Sequence, residues 1–122
     1  MAHVDLTQDA VVFHLSLADE LLSVHGSLRV PYTHIVTVSA DPVPVEWWRG
    51  FRVGTNIPGI KVAGTFFGPD GAVFCDFHRN DRCLTLELSH DTYRRVIVEV
   101  DPDQSAAELA AMLSARIGAS AG

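Results

Sequence analysis

Hydrophobic and polar residues alternate through most of the chain with the period of two that is typical of half-buried β-strands. The clearest case is the segment 83–88, where Leu84, Leu86 and Leu88 share one face and Cys83 begins the other. Pro, Gly, Asn and Asp residues punctuate the pattern and mark turns. Together these signals predict seven strands, at 11–17, 27–31, 35–39, 60–67, 72–77, 83–88 and 94–100.

The last part of the chain has helical periodicity instead. One apolar stripe recurs at spacings of three and four residues, formed by Ala106, Leu109, Ala110, Leu113 and Ile117. Asp101-Pro102-Asp103-Gln104 predicts a capping-box start, with an acidic N-cap, a proline at N1 and a glutamine at N3. Gly118 is a natural stop. We therefore expect a helix over residues 103–117 that buries its stripe on the sheet.

Two turn signals connect the central strands and decide where the thiols lie. Gly68-Pro69-Asp70-Gly71 joins one pair of strands, and Asn80-Asp81 fits a two-residue hairpin loop between 72–77 and 83–88. That hairpin would place Cys83 opposite His78 and Cys75 opposite Leu86. The two sulfurs would then be too far apart for a disulfide. We expect two free thiols that behave as small buried apolar groups.

Composition limits the size of the protein and the kind of partner. The chain has 122 residues, of which 48% are hydrophobic and 20% charged, enough for one domain with a single core. Nine basic and 15 acidic residues give a net charge of -6, which argues against nucleic acid and against a polybasic membrane surface. The sequence has no secretory leader and no apolar run of about 20 residues, so a cytoplasmic location is expected.

A series of short strands followed by one amphipathic helix resembles the pleckstrin-homology (PH) superfold. The sequence is also similar to an actinobacterial family of small PH-like proteins of unknown function, over residues 10–117. The matching stretches are Leu28-Arg29-Val30-Pro31, Ile35-Val36, Trp48-Arg49-Gly50-Phe51-Arg52, Asn56-Ile57-Pro58-Gly59, Ala63-Gly64-Thr65-Phe66 and Val96-Ile97-Val98-Glu99-Val100-Asp101-Pro102. The resemblance implies a single all-β domain with one C-terminal helix: a seven-stranded bent sheet, or half-open barrel, that the helix caps. Such folds bind phosphoinositides or peptides or act as scaffolds, and the fold alone does not choose among them.

One departure from the family pattern bears on function. PH domains that bind phosphoinositides use Lys and Arg in the loop after the first strand, whereas this chain has Ala18-Asp19-Glu20 there. Two carboxylates at that place would repel an inositol phosphate. We therefore expect neither phosphoinositide nor membrane binding.

The candidate contact surface is an aromatic and basic segment formed by Trp47, Trp48, Arg49, Phe51 and Arg52. Trp and Arg are over-represented in binding hot spots because each offers a large contact area with a polar handle. The glycine-rich loop at 54–59 lies beside the two arginines, and together they could hold an anion. The alternative is structural: the two tryptophans seal an open end of the barrel, and the glycines serve the turn.

Other chemistry has weaker support in the sequence. Cys75 and His78 have a metal-like spacing but lie three apart on a strand, so they point to opposite faces; we predict no metal site and no cofactor. Cys83 with His78 could form a nucleophile–base pair, with Asp76 or Asp81 nearby. A Gly-x-Ser-x-Gly elbow is absent from the sequence.

These observations predict a non-enzymatic cytosolic interaction module that binds a protein or peptide, with main-chain hydrogen bonds along an open sheet edge. One alternative is a small-molecule binder or small enzyme that uses the barrel interior or mouth; a pocket of about 300 Å³ with convergent polar groups would favour it. The other is a self-associating protein that forms a homodimer through a strand edge or an apolar patch.

Overall fold

The computed structural model describes residues 2–15, 27–43, 55–57, 61–68, 71–77 and 80–121. Within these ranges the chain is mostly β with one C-terminal helix, as predicted. The strands are β1 (Ala2–Leu6), β2 (Ala10–Leu15), β3 (Ser27–Pro31), β4 (Ile35–Ser39), β5 (Thr55–Ile57), β6 (Lys61–Gly68), β7 (Gly71–Phe77), β8 (Cys83–Leu88) and β9 (Tyr93–Glu99), and the helix is α1 (Ala106–Ala121). Short 3-10 helices at Tyr32–His34 and Asn80–Arg82 lead into β4 and β8.

The strands form two open sheets rather than the single bent sheet that was predicted. One sheet has the order β1-β2-β3 and the other β4-β8-β9-β7-β6-β5. The chain leaves β3 through the 3-10 helix at Tyr32–His34, so β3 and β4 lie at the edges of different sheets. The two sheets meet where Ala2 forms a parallel bridge with Val100.

The strand order corrects the predicted hairpin between β7 and β8. β9 lies between them, antiparallel to β8 and parallel to β7. Cys83 is therefore opposite Glu99, and Cys75 is opposite Ile97. The physical reason is burial: residues 96–99 at the end of β9 are buried on both faces. A strand that is covered on both faces belongs in the middle of a sheet, where both of its edges are paired.

The alternation pattern located the other strands well. The bounds predicted for β3, β4 and β8 agree with the structure, and Gly68 pairs with Gly71 across the predicted turn between β6 and β7. Gly71 has a φ of +126°, which only glycine adopts without strain. Two strands were missed because they give little signal. β1 alternates over only five residues, and β5 has only three residues within the predicted glycine-rich loop.

One hydrophobic core joins both sheets to the helix. The inward faces of β1, β2 and β3 contribute Val4, Phe13 and Val30, and α1 contributes Leu109 and Leu113 as the stripe predicted. The other sheet contributes Phe74 from β7, Leu84 and Leu86 from β8, and Val96 and Val98 from β9, among others. A smaller cluster covers the opposite face of that sheet and consists of Val43, Val73, Cys75, Phe77, Cys83 and Ile97.

The helix begins later and ends later than predicted. The Glu108 N–H donates to Ser105 Oγ at 3.2 Å and the Leu109 N–H to the Ser105 carbonyl at 3.0 Å, so Ser105 is the N-cap, not Asp101. Asp101 instead begins a turn closed by the Gln104 N–H at 3.0 Å. The helix passes Gly118 and ends at Ala121, because Gly118 is not in the left-handed conformation that would stop it.

Gln104 is held outside the helix by a pair of hydrogen bonds to β1. Its Oε1 accepts from the Val4 N–H at 2.8 Å, and its Nε2 donates to the Val4 carbonyl at 2.9 Å. The side-chain amide thus pairs with β1 as the backbone of a neighbouring strand would. It closes part of a sheet edge that would otherwise present unpaired backbone groups.

Replacing Gln104 by Ala is expected to lower the free energy of unfolding by about 1–3 kcal/mol, because both backbone groups of Val4 lose their partner in a partly buried place. Urea denaturation followed by circular dichroism measures the loss. The matched control is Gln8→Ala, since Gln8 is exposed and lies in the turn before β2. Equal effects of the two substitutions would contradict the role given to Gln104.

Because Ser105 caps the helix, replacing it by alanine is expected to change the stability of the protein differently from the same replacement at Ser114, an equally exposed serine. Ser105→Ala should destabilise the protein by about 1 kcal/mol, because the first helical turn loses a capping acceptor. Ser114→Ala, inside α1, should leave stability unchanged or raise it slightly, because alanine has the higher helix propensity. Thermal unfolding of both variants decides the point. A helix capped by Asp101 would tolerate Ser105→Ala.

Candidate functional site

The predicted contact residues Trp47, Trp48, Arg49, Phe51 and Arg52 lie outside the residues that the structure describes, as does Ala18-Asp19-Glu20. The structure does describe the chain up to Val43, four residues before Trp47. Val43 is buried and belongs to the smaller hydrophobic cluster on the outer face of the six-stranded sheet. The described residues that come before the predicted segment in the sequence lie on this face, and the candidate site is built from the residues found there.

The edge strand β4 and its neighbour β8 bring polar side chains together on this face. Ser39 of β4 is paired with Thr85 of β8, and Thr37 with Glu87, so all four lie on one side of the sheet. Asp41, Pro42 and Val43 continue from β4 and border the same space. They enclose a pocket of about 280 Å³ lined by Thr37, Ser39, Asp41, Pro42, Val43, Thr85 and Glu87. We call this space the β4 pocket.

The β4 pocket combines hydroxyl groups with carboxylates. Ser39 Oγ accepts a hydrogen bond from the Asp41 N–H at 3.0 Å, which folds the chain after β4 back toward the pocket. Glu87 forms an ion pair with Arg95 of β9, with 2.7 Å between Oε1 and Nε. Asp41 is exposed and adds a second carboxylate. The pocket therefore suits a polar or cationic group rather than an anion.

β4 also presents an edge of its sheet. It pairs with β8 on one side and is the terminal strand of the sheet order. A β-bulge falls between Ile35 and Thr37, and Val36 at the bulge is 57% exposed. Edge strands carry backbone groups that another chain can pair with. Because Thr37 and Ser39 of this edge strand also line the β4 pocket, the edge and the pocket adjoin each other.

A second depression, of about 410 Å³, lies between β1 and α1. Two of its polar side chains, Gln104 and Arg116, are already engaged within the protein. Gln104 is paired with Val4, and Arg116 donates to the Thr7 carbonyl at 3.0 Å and lies over the Tyr32 ring, 5.9 Å from its centroid. These side chains hold β1, β2 and the helix together. The depression is also lined by the carboxylates of Asp103 and Glu108.

Both thiols are buried and free, as predicted, although the reason differs from the predicted hairpin. Burial raises the pKa of Cys75 and of Cys83, and the neighbouring Glu99 carboxylate raises that of Cys83 further. The ladder partner of Cys83 is Glu99, not His78, which lies outside the described residues. A thiol with a raised pKa is a poor nucleophile, so neither cysteine suits covalent catalysis.

Two buried carboxylates, Asp76 and Glu99, do not form an acid–base pair. Asp76 of β7 lies on the same face as Phe74, which belongs to the large core. Glu99 of β9 lies on the same face as Ile97, which belongs to the smaller cluster. Because the two side chains lie on opposite faces of the sheet, they cannot act on one substrate.

The β4 pocket could not be found from a sequence motif, because its lining comes from β4, β8 and the chain after β4. The alternation does place Thr37 with Ser39 and Thr85 with Glu87 on common faces. The sequence does not indicate that β4 pairs with β8, because β5, β6 and β7 lie between these two strands along the chain.

No protein-family model, curated protein or solved structure matches the chain. The similarity to a small PH-like family therefore stays a prediction. Within the part of the chain that the structure describes, no helix is both long and apolar enough to cross a bilayer.

The buried thiols are expected to react with a water-soluble disulfide reagent only as fast as the protein opens. At neutral pH the folded protein should show almost no reaction, whereas both Cys75 and Cys83 should react at once in denaturant, because burial disfavours the thiolate. Absorbance of the released thiol measures the rate. A folded protein that reacts as fast as a free cysteine peptide would contradict the burial of these side chains.

Proposed function

We propose that the protein is a non-enzymatic interaction module that binds an extended peptide segment of a partner protein along the β4 edge. The observation that carries the proposal is that the edge adjoins the β4 pocket. Main-chain hydrogen bonds to β4 would supply affinity, and the pocket would select one side chain of the peptide. This is the recognition mode expected for an open sheet edge.

The charge of the β4 pocket indicates which peptide side chain it would bind. Asp41 and Glu87 place two carboxylates at the pocket, and only Glu87 is paired with a described cation, Arg95. The whole chain has a net charge of -6. A peptide with Lys or Arg at the pocket position would complement this charge and would be steered toward the surface.

The predicted contact segment at residues 47–52 follows closely after Asp41, Pro42 and Val43 in the sequence, and these three residues line the β4 pocket. Trp47, Trp48 and Phe51 offer contact area, and Arg49 and Arg52 offer guanidinium groups. We include these five residues in the proposal as candidate contacts of the bound peptide.

Two features favour a peptide over a small-molecule substrate. The volume of the β4 pocket, about 280 Å³, is just below the range of about 300–1,000 Å³ in which small-molecule sites fall. The candidate catalytic groups are also separated, since the thiols are buried and the buried acids lie on opposite faces. A peptide needs only one side-chain pocket, because the edge provides the remaining contacts.

Two further elements of the proposal have indirect support. A cytoplasmic location is supported by the two free thiols, which a reducing compartment preserves. A relationship to the PH superfold is supported by the mostly β frame and the C-terminal helix. The two open sheets and the parallel pairing of β7 with β9 are departures from the bent sheet that this relationship implies.

The test begins with a library of random peptides displayed on phage and selected on the purified protein. Binding of the selected peptides, labelled with a fluorophore, is measured by anisotropy. Val36→Lys should weaken binding at least about ten-fold, because a charged side chain on an edge strand opposes strand addition. Asp41→Asn should weaken binding of peptides with Lys or Arg and reduce its dependence on salt.

Met112→Lys is the matched control, because Met112 is the other large hydrophobic residue exposed in the described chain, at 48%, and lies on α1. It should leave binding unchanged. Peptides that bind Val36→Lys as tightly as the unaltered protein would overturn the proposed site. Light scattering during size exclusion adds one further outcome: a dimer that Val36→Lys dissociates would identify a second copy of the chain, not a peptide, as the occupant of the edge.

A further inference from the structure

Two histidines and three aspartates converge on the outer face of the three-stranded sheet. His3 and Asp5 are two apart on β1, and His14 is the direct cross-strand partner of His3 on β2. The alternation of both strands turns all three side chains to the exposed face, away from the core. Asp101 and Asp103 come from the turn that follows β9.

The fold fixes that turn against β1. The Asp101 N–H donates to the Ala2 carbonyl at 2.9 Å, and the Gln104 side chain pairs with Val4 on the same strand. Arg82 donates to the backbone carbonyl of Asp101 at 3.4 Å, and this hydrogen bond does not occupy the Asp101 carboxylate. These contacts hold the turn on both sides of His3. The backbone of the turn that carries the two aspartates is therefore held against β1.

His3, Asp101 and Asp103 have the geometry of a three-ligand metal site. One ligand atom of each lies within 4.8 Å of the others. Nδ1 of His3 is 3.6 Å from Oδ2 of Asp101, a separation that a shared ion at about 2.0–2.2 Å from each ligand would bridge with little movement. All three side chains are exposed or half-buried, so water can complete the coordination.

The second ring nitrogen of His3 has a separate carboxylate. His3 Nε2 is 3.4 Å from Asp5 Oδ1, and the other oxygen of Asp5 is 2.8 Å from His14 Nε2. A histidine that binds a metal through one nitrogen commonly donates the N–H of the other to a carboxylate, which fixes the ring and raises its basicity. Asp5 lies beside the second ring nitrogen of His3 and is placed to orient the ring in this way. This arrangement distinguishes the cluster from a simple group of surface acids.

We propose that His3, Asp101 and Asp103 bind a divalent transition-metal ion, with Zn²⁺ the best match, and that Asp5 orients His3. One imidazole with two carboxylates is a mixed nitrogen and oxygen donor set, which suits Zn²⁺ and its neighbours. Ca²⁺ and Mg²⁺ prefer oxygen ligands throughout. The two carboxylates balance the charge of the ion. The bound ion would link β1 to the turn after β9.

Isothermal titration with Zn²⁺ alone, on protein without a purification tag, tests the proposal. One ion should bind per chain, and a large excess of Mg²⁺ should not displace it. His3→Ala and Asp101→Asn should each weaken binding at least about ten-fold, and Asp5→Asn by about ten-fold through the loss of ring orientation. Asp101→Asn is the sharpest variant, because Asp101 is distant from His3 in sequence and only the fold brings them together.

His34→Gln is the matched control, since His34 also has an aspartate at 2.8 Å, Asp91, at the other end of β4 from the pocket. It should bind Zn²⁺ as the unaltered protein does, and circular dichroism confirms that each variant is folded. Zn²⁺ should also raise the melting temperature of the unaltered protein and not that of Asp101→Asn. Equal Zn²⁺ affinity in Asp101→Asn, or the absence of binding at millimolar Zn²⁺, would overturn the site.

Discussion

The position of β9 between β7 and β8 is the constraint on which the rest of the structure depends. The end of this strand is buried on both faces, and each face carries apolar side chains that require a cover. Val96 and Val98 pack into the core shared with the three-stranded sheet and the helix, whereas Ile97 packs with Cys75, Cys83 and Val43 on the other side. Moving β9 to an edge would expose both clusters at once. In this central position β9 pairs with β7 in parallel, and parallel ladders are slightly less stable per residue than antiparallel ones.

The same strand organises both proposed sites and keeps them apart. Through β8 it positions Thr85 and Glu87, and through Arg95 it provides the partner of Glu87 in the β4 pocket. Its end leads into the turn that carries Asp101 and Asp103 to β1. The pocket lies on the six-stranded sheet and the histidine cluster on the three-stranded sheet. Substitutions at one site therefore leave the other intact, which makes the two proposals independent.

Local sequence patterns located the strands and the helix well, but they predicted poorly which strands are neighbours in a sheet. Alternation located β3, β4 and β8, and the apolar stripe identified Leu109 and Leu113 as the buried residues of the helix. Periodicity does not state which strands pair, so Asn80-Asp81 looked like a hairpin loop although β7 and β8 are separated by β9. Asp101-Pro102-Asp103-Gln104 and Ser105-Ala106-Ala107-Glu108 both fit helix starts, and the contact of Gln104 with Val4 decided between them. The histidine cluster had no local signature, because its ligands come from opposite ends of the chain.

The pairing of Gln104 with β1 also sets an order of events during synthesis. β1 leaves the ribosome about 100 residues before the side chain that closes its edge, because the two partners are 100 positions apart. Until then β1 can pair only with β2, and a two-stranded hairpin alone is marginally stable in water. The bridge between Ala2 and Val100 forms equally late. β1 precedes the other described strands in the chain and is nevertheless among the last to be fixed in place, so its edge stays open to other chains until Gln104 has been synthesised.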